Sequence, residues 1–245
     1  LNVNVLNVGN SQVGGVGTLT INGGAVTAGT ALYVGVNAGS GIMNVADGGS
    51  ITISSGKNGA TFAMSHRGIG GLTDTATLTG STITVGAKGG VTDYTSIGHS
   101  GGIATLNLEA GSTANFNDQL LVGEKGGSNG TIHVHSSTLN MGTTTVLGAA
   151  AGATGIICIE DGTAKGADAL VIGSKGKGTI EMMGDKAALA ANSIELGDTA
   201  GSKGTINAQG GTITTDLLTI GTSGTGSVVS AAIIKISEFF LISPS

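Results

Sequence analysis

Apolar residues recur at every second position in short segments along the chain, and runs rich in Gly, Ser and Asn separate these segments. Leu120-Leu121-Val122-Gly123 is representative, because its last aliphatic residue is followed directly by Gly. A period of two predicts β-strands with one buried face. We therefore expect Leu120 and Val122 to point inward. The residues between such pairs are of mixed character, which predicts an outward position.

The pair of an aliphatic residue and Gly recurs at nearly constant spacing. From Ile97 onward the steps are 25, 25, 25, 24 and 24 residues. The aliphatic members of the pairs are Val8, Val34, Ile97, Val122, Leu147, Ile172, Leu196 and Ile220. A fixed period of this size indicates a repeat or solenoid architecture.

Each repeat contains two further strand segments. Gly130-Thr131-Ile132-His133-Val134 represents the second, whose third and fifth positions are almost always aliphatic, and Ser137-Thr138-Leu139-Asn140-Met141 represents the third. A single repeat cannot bury its apolar face, but stacked repeats that pair strand upon strand in parallel can. The sequence thus predicts an all-β fold, a parallel β-helix of about nine rungs of 24–32 residues, over residues 1–228.

Two regions depart from the repeat. Residues 54–96 are interpreted as two copies with longer loops, around Gly56-Lys57-Asn58-Gly59 and Gly86-Ala87-Lys88-Gly89-Gly90, and Met64-Ser65 stands where an aliphatic-Gly pair is expected. Residues 229–245 lack the Gly-rich pattern and contain the only Pro. We expect this segment to be a C-terminal cap or a truncation tail.

Composition excludes several classes of protein. The chain has 47 Gly among 245 residues, but 39% of its residues are hydrophobic, so it can bury apolar surface and is not expected to be disordered. Gly does not occupy every third position and there is one Pro, which excludes collagen. The net charge of −5 and the scattered Lys residues disfavour nucleic-acid binding. No apolar run is long enough to span a membrane, and one Cys excludes an internal disulfide framework.

Several units resemble the passenger repeat of autotransporters, the proteins of type V secretion. Val122 to Ile132 and Gly17 to Thr27 carry this resemblance, which covers roughly residues 6–228. It implies a right-handed β-helix, secretion through the outer membrane of a Gram-negative bacterium, and adhesion or self-association with surface glycans or proteins as partners. We expect the chain to be cut from a longer precursor whose translocator lies outside it. The resemblance implies no cofactor.

Two outward columns of the second segment, two residues apart along the strand, contain plausible ligands for a zinc-like ion. These residues are His133, His135, Cys158, Glu160 and Glu181. Polar residues are expected by default on a solvated outer face, so no metal is assigned to them. Cys158 and His133 would form a nucleophilic pair only with an orienting base and an oxyanion pocket, which a flat sheet face lacks.

The sequence gives less support to other functions that β-helix proteins can have. Polysaccharide-degrading β-helices need clustered carboxylates and sugar-stacking aromatics, whereas this chain has four Phe, two Tyr and no Trp. We expect no enzyme activity, and a carbohydrate-active enzyme or a polysaccharide-binding module is the alternative function. Ice binding requires Thr-x-Thr in consecutive rungs of one face. Thr18-x-Thr20, Thr82-x-Thr84 and Thr212-x-Thr214 do not form one uninterrupted column.

Overall fold

The computed structural model describes residues 1–54, 59–66, 72–86 and 93–241, with side chains up to residue 238. Within these ranges the chain forms β-strands joined by tight turns, and no helix. The strands are β1 (Asn2–Ser11), β2 (Val16–Asn22), β3 (Ala25–Asn37), β4 (Ser40–Ala46), β5 (Ser50–Ile53), β6 (Thr61–His66), β7 (Thr73–Thr79), β8 (Thr82–Val85), β9 (Tyr94–Ile97), β10 (Ile103–Glu109), β11 (Thr113–Phe116), β12 (Gln119–Val122), β13 (Asn129–His135), β14 (Thr138–Asn140), β15 (Thr144–Leu147), β16 (Thr154–Glu160), β17 (Thr163–Ile172), β18 (Lys177–Met183), β19 (Ala188–Leu196), β20 (Lys203–Ala208), β21 (Thr212–Ile220), β22 (Thr225–Ser230) and β23 (Ile233–Leu241).

One face of the molecule is a nine-stranded parallel sheet, which we call the second ladder. Its order is β2-β4-β7-β10-β13-β16-β18-β20-β22, so each coil of the chain, here called a rung, contributes one strand. Nine rungs at about 4.8 Å each give a rod roughly 43 Å long. The predicted all-β parallel solenoid of about nine rungs is confirmed.

The other two faces belong to one continuous sheet. The first ladder contains β6, β9, β12 and β15, and the third ladder contains β5, β8, β11 and β14. Both ladders continue through the long strands β1, β3, β17, β19, β21 and β23, because each of these strands runs from the third ladder into the first. In β17, for example, Thr163 pairs with Thr138 of the third ladder and Ala169 pairs with Thr144 of the first. Each rung therefore has the three strands that the sequence predicts.

The inward columns of the ladders form one hydrophobic core along the axis of the rod. In the first ladder Val122 pairs with Ile97 below and Leu147 above, and none of these three side chains is exposed. In the second ladder Ile132 and Val134 are buried in the same way. The inward positions predicted from the period of two are thus confirmed.

Three residues at predicted outward positions of the first ladder are buried. Ala63, Ser96 and Leu121 occupy one outward column of the first ladder, yet Ala63 and Ser96 are 0% exposed and Leu121 is 9% exposed. They lie in the predicted outward column, but their side chains are not exposed to solvent.

Glycine sets the shape of the first corner, the connection from the first ladder to the second. Gly123 ends β12 with a φ of 69°, in the left-handed region that favours Gly. A Cβ added to Gly155, at the start of the next rung's second strand, would lie 2.0 Å from the carbonyl oxygen of Val122. The backbones of successive rungs are therefore in direct contact at this corner, and only a hydrogen atom fits between them.

In the irregular rung at Met64-Ser65, the first corner is held together by different contacts. Met64 pairs with Val34 on one side and Ile97 on the other, so it occupies the expected aliphatic position, with steps of 30 and 33 residues. Ser65 and Asp74 replace the two glycines and are each 1% exposed. The Ser65 hydroxyl donates to Asp74 Oδ2 at 2.6 Å, and the Gly41 amide donates to Asp74 Oδ1 at 2.6 Å. Side-chain hydrogen bonds here replace the close backbone contact.

The structure describes the two regions that depart from the repeat to different extents. The long loops predicted around Gly56-Lys57-Asn58-Gly59 and Gly86-Ala87-Lys88-Gly89-Gly90 lie mostly outside the described residues. In the C-terminal region β22 pairs in parallel with β20, and β23 pairs in parallel with β21. The assignment of residues 229–245 as a cap or tail stays a prediction.

Gly155→Ala should lower the free energy of unfolding by about 3 kcal/mol, because its Cβ overlaps a backbone oxygen that cannot move without disturbing the ladder. Gly24→Ala is the matched control, since its Cβ would lie 3.7 Å from the nearest atom. We expect the control to change stability by less than about 0.5 kcal/mol. Urea unfolding of both variants measures the difference, and equal stabilities would contradict the close contact at the first corner.

Candidate functional site

The structure brings the five predicted metal-ligand candidates onto one outer face of the second ladder. His133, Cys158 and Glu181 are successive register partners, and His135 pairs with Glu160 in the adjacent column. A shallow depression of about 250 Å³ lies among several of them. The predicted columns are therefore correct.

These side chains interact in pairs. His135 Nδ1 lies 2.8 Å from Glu109 Oε2, and this contact raises the pKa of His135. Cys158 Sγ lies 3.5 Å from Glu181 Oε2. Burial, followed by the charge and hydrogen bond of Glu181, raises the pKa of Cys158 to about 12, so its thiol is protonated at neutral pH and a poor nucleophile. In the described part of the chain, no three His, Cys, Asp or Glu side chains are placed to hold a metal ion.

The outer face of the third ladder carries two parallel columns of small polar side chains, which we call the polar face. Its central members are Thr82, Thr84, Thr113, Asn115, Thr138 and Asn140. The columns include Ser50 and Thr52, continue to Thr163 and Lys165, and are interrupted by Ala188 and Ala190. Successive members of a column are spaced by about 4.8 Å along the rod.

The asparagines of the polar face are hydrogen-bonded to each other along the rod. Asn140 Nδ2 donates to Asn115 Oδ1 at 2.6 Å, and Asn115 Nδ2 donates to Thr84 Oγ1 at 3.1 Å. Beside them is a depression of about 360 Å³, which we call the amide depression. Its polar lining includes Asn115, Asn117, Asn140, Thr143 and Asp168. The face thus presents ordered amide and hydroxyl groups next to a shallow cavity.

The Thr-x-Thr pairs noted in the sequence fall on two faces. Thr82-x-Thr84 and Thr212-x-Thr214 lie in the same columns of the third ladder, whereas Thr18-x-Thr20 lies in the second ladder. Ala188 and Ala190 separate the first two pairs. The expectation that they form no uninterrupted Thr-x-Thr column is confirmed.

A third group of polar side chains, the ring cluster, lies on the outer side of the first ladder. It consists of Tyr33, His66, Tyr94, His99 and Glu124. The rings of Tyr33 and His66 are stacked with centroids 4.4 Å apart, and those of His66 and His99 are tilted at 4.8 Å. Tyr94 meets His99 edge to face at 6.3 Å. The cluster therefore spans several rungs.

Glu124 is the acidic member of the ring cluster and is 9% exposed. Its carboxylate accepts a hydrogen bond from the Tyr94 hydroxyl, lies 3.6 Å from His99 Nε2, and pairs with Lys125 Nζ at 3.0 Å. Burial raises the pKa of the Glu124 carboxyl, and the hydrogen bond and charge of Lys125 oppose that shift. The carboxyl is thus held in a closed network of side chains.

Part of this cluster has a signal in the sequence, at the residue that follows the corner position of each rung. The residue that follows each aliphatic-Gly pair reads His66, His99 and Glu124 in consecutive rungs. Since these positions stack on one another, two imidazoles and a carboxyl had to be neighbours. The tyrosines, by contrast, occupy different columns and give no such signal.

Comparison of the chain with models of known protein families, with curated proteins and with solved structures finds no match. Within the described residues, no helix is long and apolar enough to cross a membrane.

Replacing Glu124 should change how stability depends on pH. A carboxyl with a raised folded-state pKa binds more protons in the native state than in the unfolded chain, so its contribution to stability falls as pH rises above its ordinary value of 4.5. We expect Glu124→Gln to reduce this fall in urea unfolding measured from pH 4 to 8. Glu160→Gln, at an exposed position, is the control. The same pH profile for wild type and Glu124→Gln would contradict the shift.

Proposed function

We propose that the chain is a structural and adhesive segment of a secreted bacterial surface protein, of the autotransporter passenger type. In this proposal it is exported across the outer membrane of a Gram-negative cell by a translocator and is not an enzyme. The observation that carries the proposal is the polar face, an ordered array of Thr and Asn side chains along the rod.

A column of repeated polar side chains can bind a long partner through many weak contacts at once. Each Thr or Asn contact with a partner is worth little alone, but contacts linked on one rigid rod add up through effective concentration. A second copy of the chain or an extended glycan can follow the same axis and meet several rungs at once. Self-association and glycan adhesion are therefore the two forms of this function.

The amide depression favours a glycan as one partner. Amide groups and a carboxylate, supplied by Asn115, Asn140 and Asp168, can donate to and accept from sugar hydroxyls. Asn192 Nδ2 donates to Asp168 Oδ1 at 2.9 Å, so this carboxylate is already oriented. A polysaccharide-binding module is thus a refinement of the adhesive function rather than a competing one.

The ring cluster is the feature that most resembles the active site of a carbohydrate-active enzyme. Glycoside hydrolysis generally needs two carboxyl groups on either side of the scissile bond. The cluster contributes one, Glu124, and Tyr94, His99 and Lys125 surround it. We therefore assign the cluster a stabilising role on the first ladder.

The polar face can be tested by displaying the chain on a bacterium that does not aggregate. We expect display to confer cell aggregation or binding to immobilised glycans, and Asn115→Ala/Asn140→Ala to reduce the adherent fraction about tenfold through lost multivalency. Asn44→Ala/Asn207→Ala, on the outer side of the second ladder, is the matched control and should adhere like wild type. Surface labelling confirms equal display.

Two results would contradict the proposal. One is full display of the wild-type chain without aggregation or glycan binding. The other is an equal loss of adhesion in both double variants, which would show that the polar face has no special role.

A further inference from the structure

The first corner of one rung is shorter than the corners on either side. Four residues separate Gly173 from Gly178, whereas six separate Gly148 from Gly155 and six separate Gly197 from Gly204. The flanking corners consequently extend further from the rod than the short one. The result is a notch of about 330 Å³, with Ala151 and Gly152 on one side and Ala200 and Gly201 on the other.

The floor of the notch is fixed by backbone contacts. The amides of Lys175 and Gly176 both donate to the Gly148 carbonyl, at 3.1 and 2.8 Å, and the Lys177 amide donates to the Ala153 carbonyl at 2.9 Å. A Cβ on Gly176 would lie 2.4 Å from the Ala153 oxygen, so the floor is packed against the preceding rung. The notch is therefore preformed.

Positive charge is concentrated at this notch. Lys175 and Lys177 line it, and Lys203 is the register partner of Lys177 in the next rung. All three side chains are exposed, and in the described residues none has a carboxylate oxygen within 4.0 Å. Asp198, on the neighbouring corner, instead accepts a hydrogen bond from Ser174 at 3.0 Å.

The fold does not require lysines at these positions. The same column of the second ladder holds Asn129, Thr154 and Thr225 in other rungs. Like charges opposite each other on adjacent strands destabilise a sheet, so the Lys177–Lys203 pair carries a cost in the absence of an anion.

We propose that this notch binds an oxyanion group of an acidic polysaccharide, a sulfate or carboxylate carried on a sugar. The lysines supply charge-assisted hydrogen bonds, and the small Ala and Gly walls allow a sugar ring to approach the backbone. The volume lies at the lower end of the range for small-ligand sites. This site is separate from the polar face and does not rest on the function proposed for that face.

Other polyanions fit the notch less well. A nucleic acid is held by a track of cations along its backbone, and an anionic membrane by clusters of four to eight basic residues. The notch and its rim contribute three lysines, at one corner of a chain whose net charge is −5. This arrangement suits one anionic group rather than a continuous charged surface.

The test is calorimetric titration of the full chain with a sulfated disaccharide, with the uncharged disaccharide of the same backbone, with inorganic sulfate and with an oligothymidylate. We expect the sulfated disaccharide to bind, inorganic sulfate to bind more weakly, and the other two not to bind. Lys175→Gln/Lys177→Gln should raise the Kd at least about tenfold through lost charge-assisted hydrogen bonds. Lys186→Gln, an exposed lysine outside the notch, should leave the Kd within about twofold of wild type.

A second variant separates the shape of the notch from its charge. Inserting an Ala-Gly dipeptide between Ser174 and Lys175 restores a six-residue corner and keeps every lysine, and it should weaken binding as strongly as the double substitution. Wild-type affinity in this variant would overturn the proposal. So would no binding by the wild-type chain, equal affinity for inorganic sulfate and the disaccharide, or tighter binding of the oligothymidylate. Unfolding transitions like that of wild type show that each variant is folded.

Discussion

The contact between successive backbones at the first corner is the constraint on which the rest of the rod depends. Gly123 turns the chain out of the first ladder, and its amide donates to the Ile97 carbonyl of the rung below at 2.9 Å. Gly148 repeats this bond to Val122 at 2.9 Å, and Gly173 repeats it to Leu147 at 2.9 Å. Because the hydrogen-bond ladder continues around the corner, every rung keeps its register with the next. The hydrophobic and polar columns follow from that register.

Two rungs depart from this regular pattern, and each departure changes the local structure without changing the stack. Ser65 and Asp74 replace two glycines without breaking the stack, since hydrogen bonds fill the space between the strands. The short corner at Lys175 leaves a notch because the neighbouring corners keep their length. A solenoid of this kind can therefore acquire binding sites by small local changes, while its core columns stay the same.

The sequence predicted the fold well because stacking repeats the same information many times. The period and the inward pair of Leu120 and Val122 were readable from spacing, and the equivalence of Met64 with Val34 was readable from the alternation of apolar residues. The burial of Ala63, Ser96 and Leu121 was not, since the period of two gives the column of a residue but not whether that column is exposed to solvent. The notch could not be predicted from the sequence either. A corner that is two residues shorter creates a cavity only because longer corners flank it in the folded rod.

The polar face and the notch both exist only if residues distant in sequence share a column at a fixed spacing. Spin labels at Thr20→Cys and Asn207→Cys, in a Cys158→Ser background, test this arrangement directly. Seven register steps separate the two positions along one column of the second ladder. At about 4.8 Å per step the account predicts a narrow distance distribution centred near 34 Å. A broad distribution, or one centred below about 20 Å, would contradict the stacked rod.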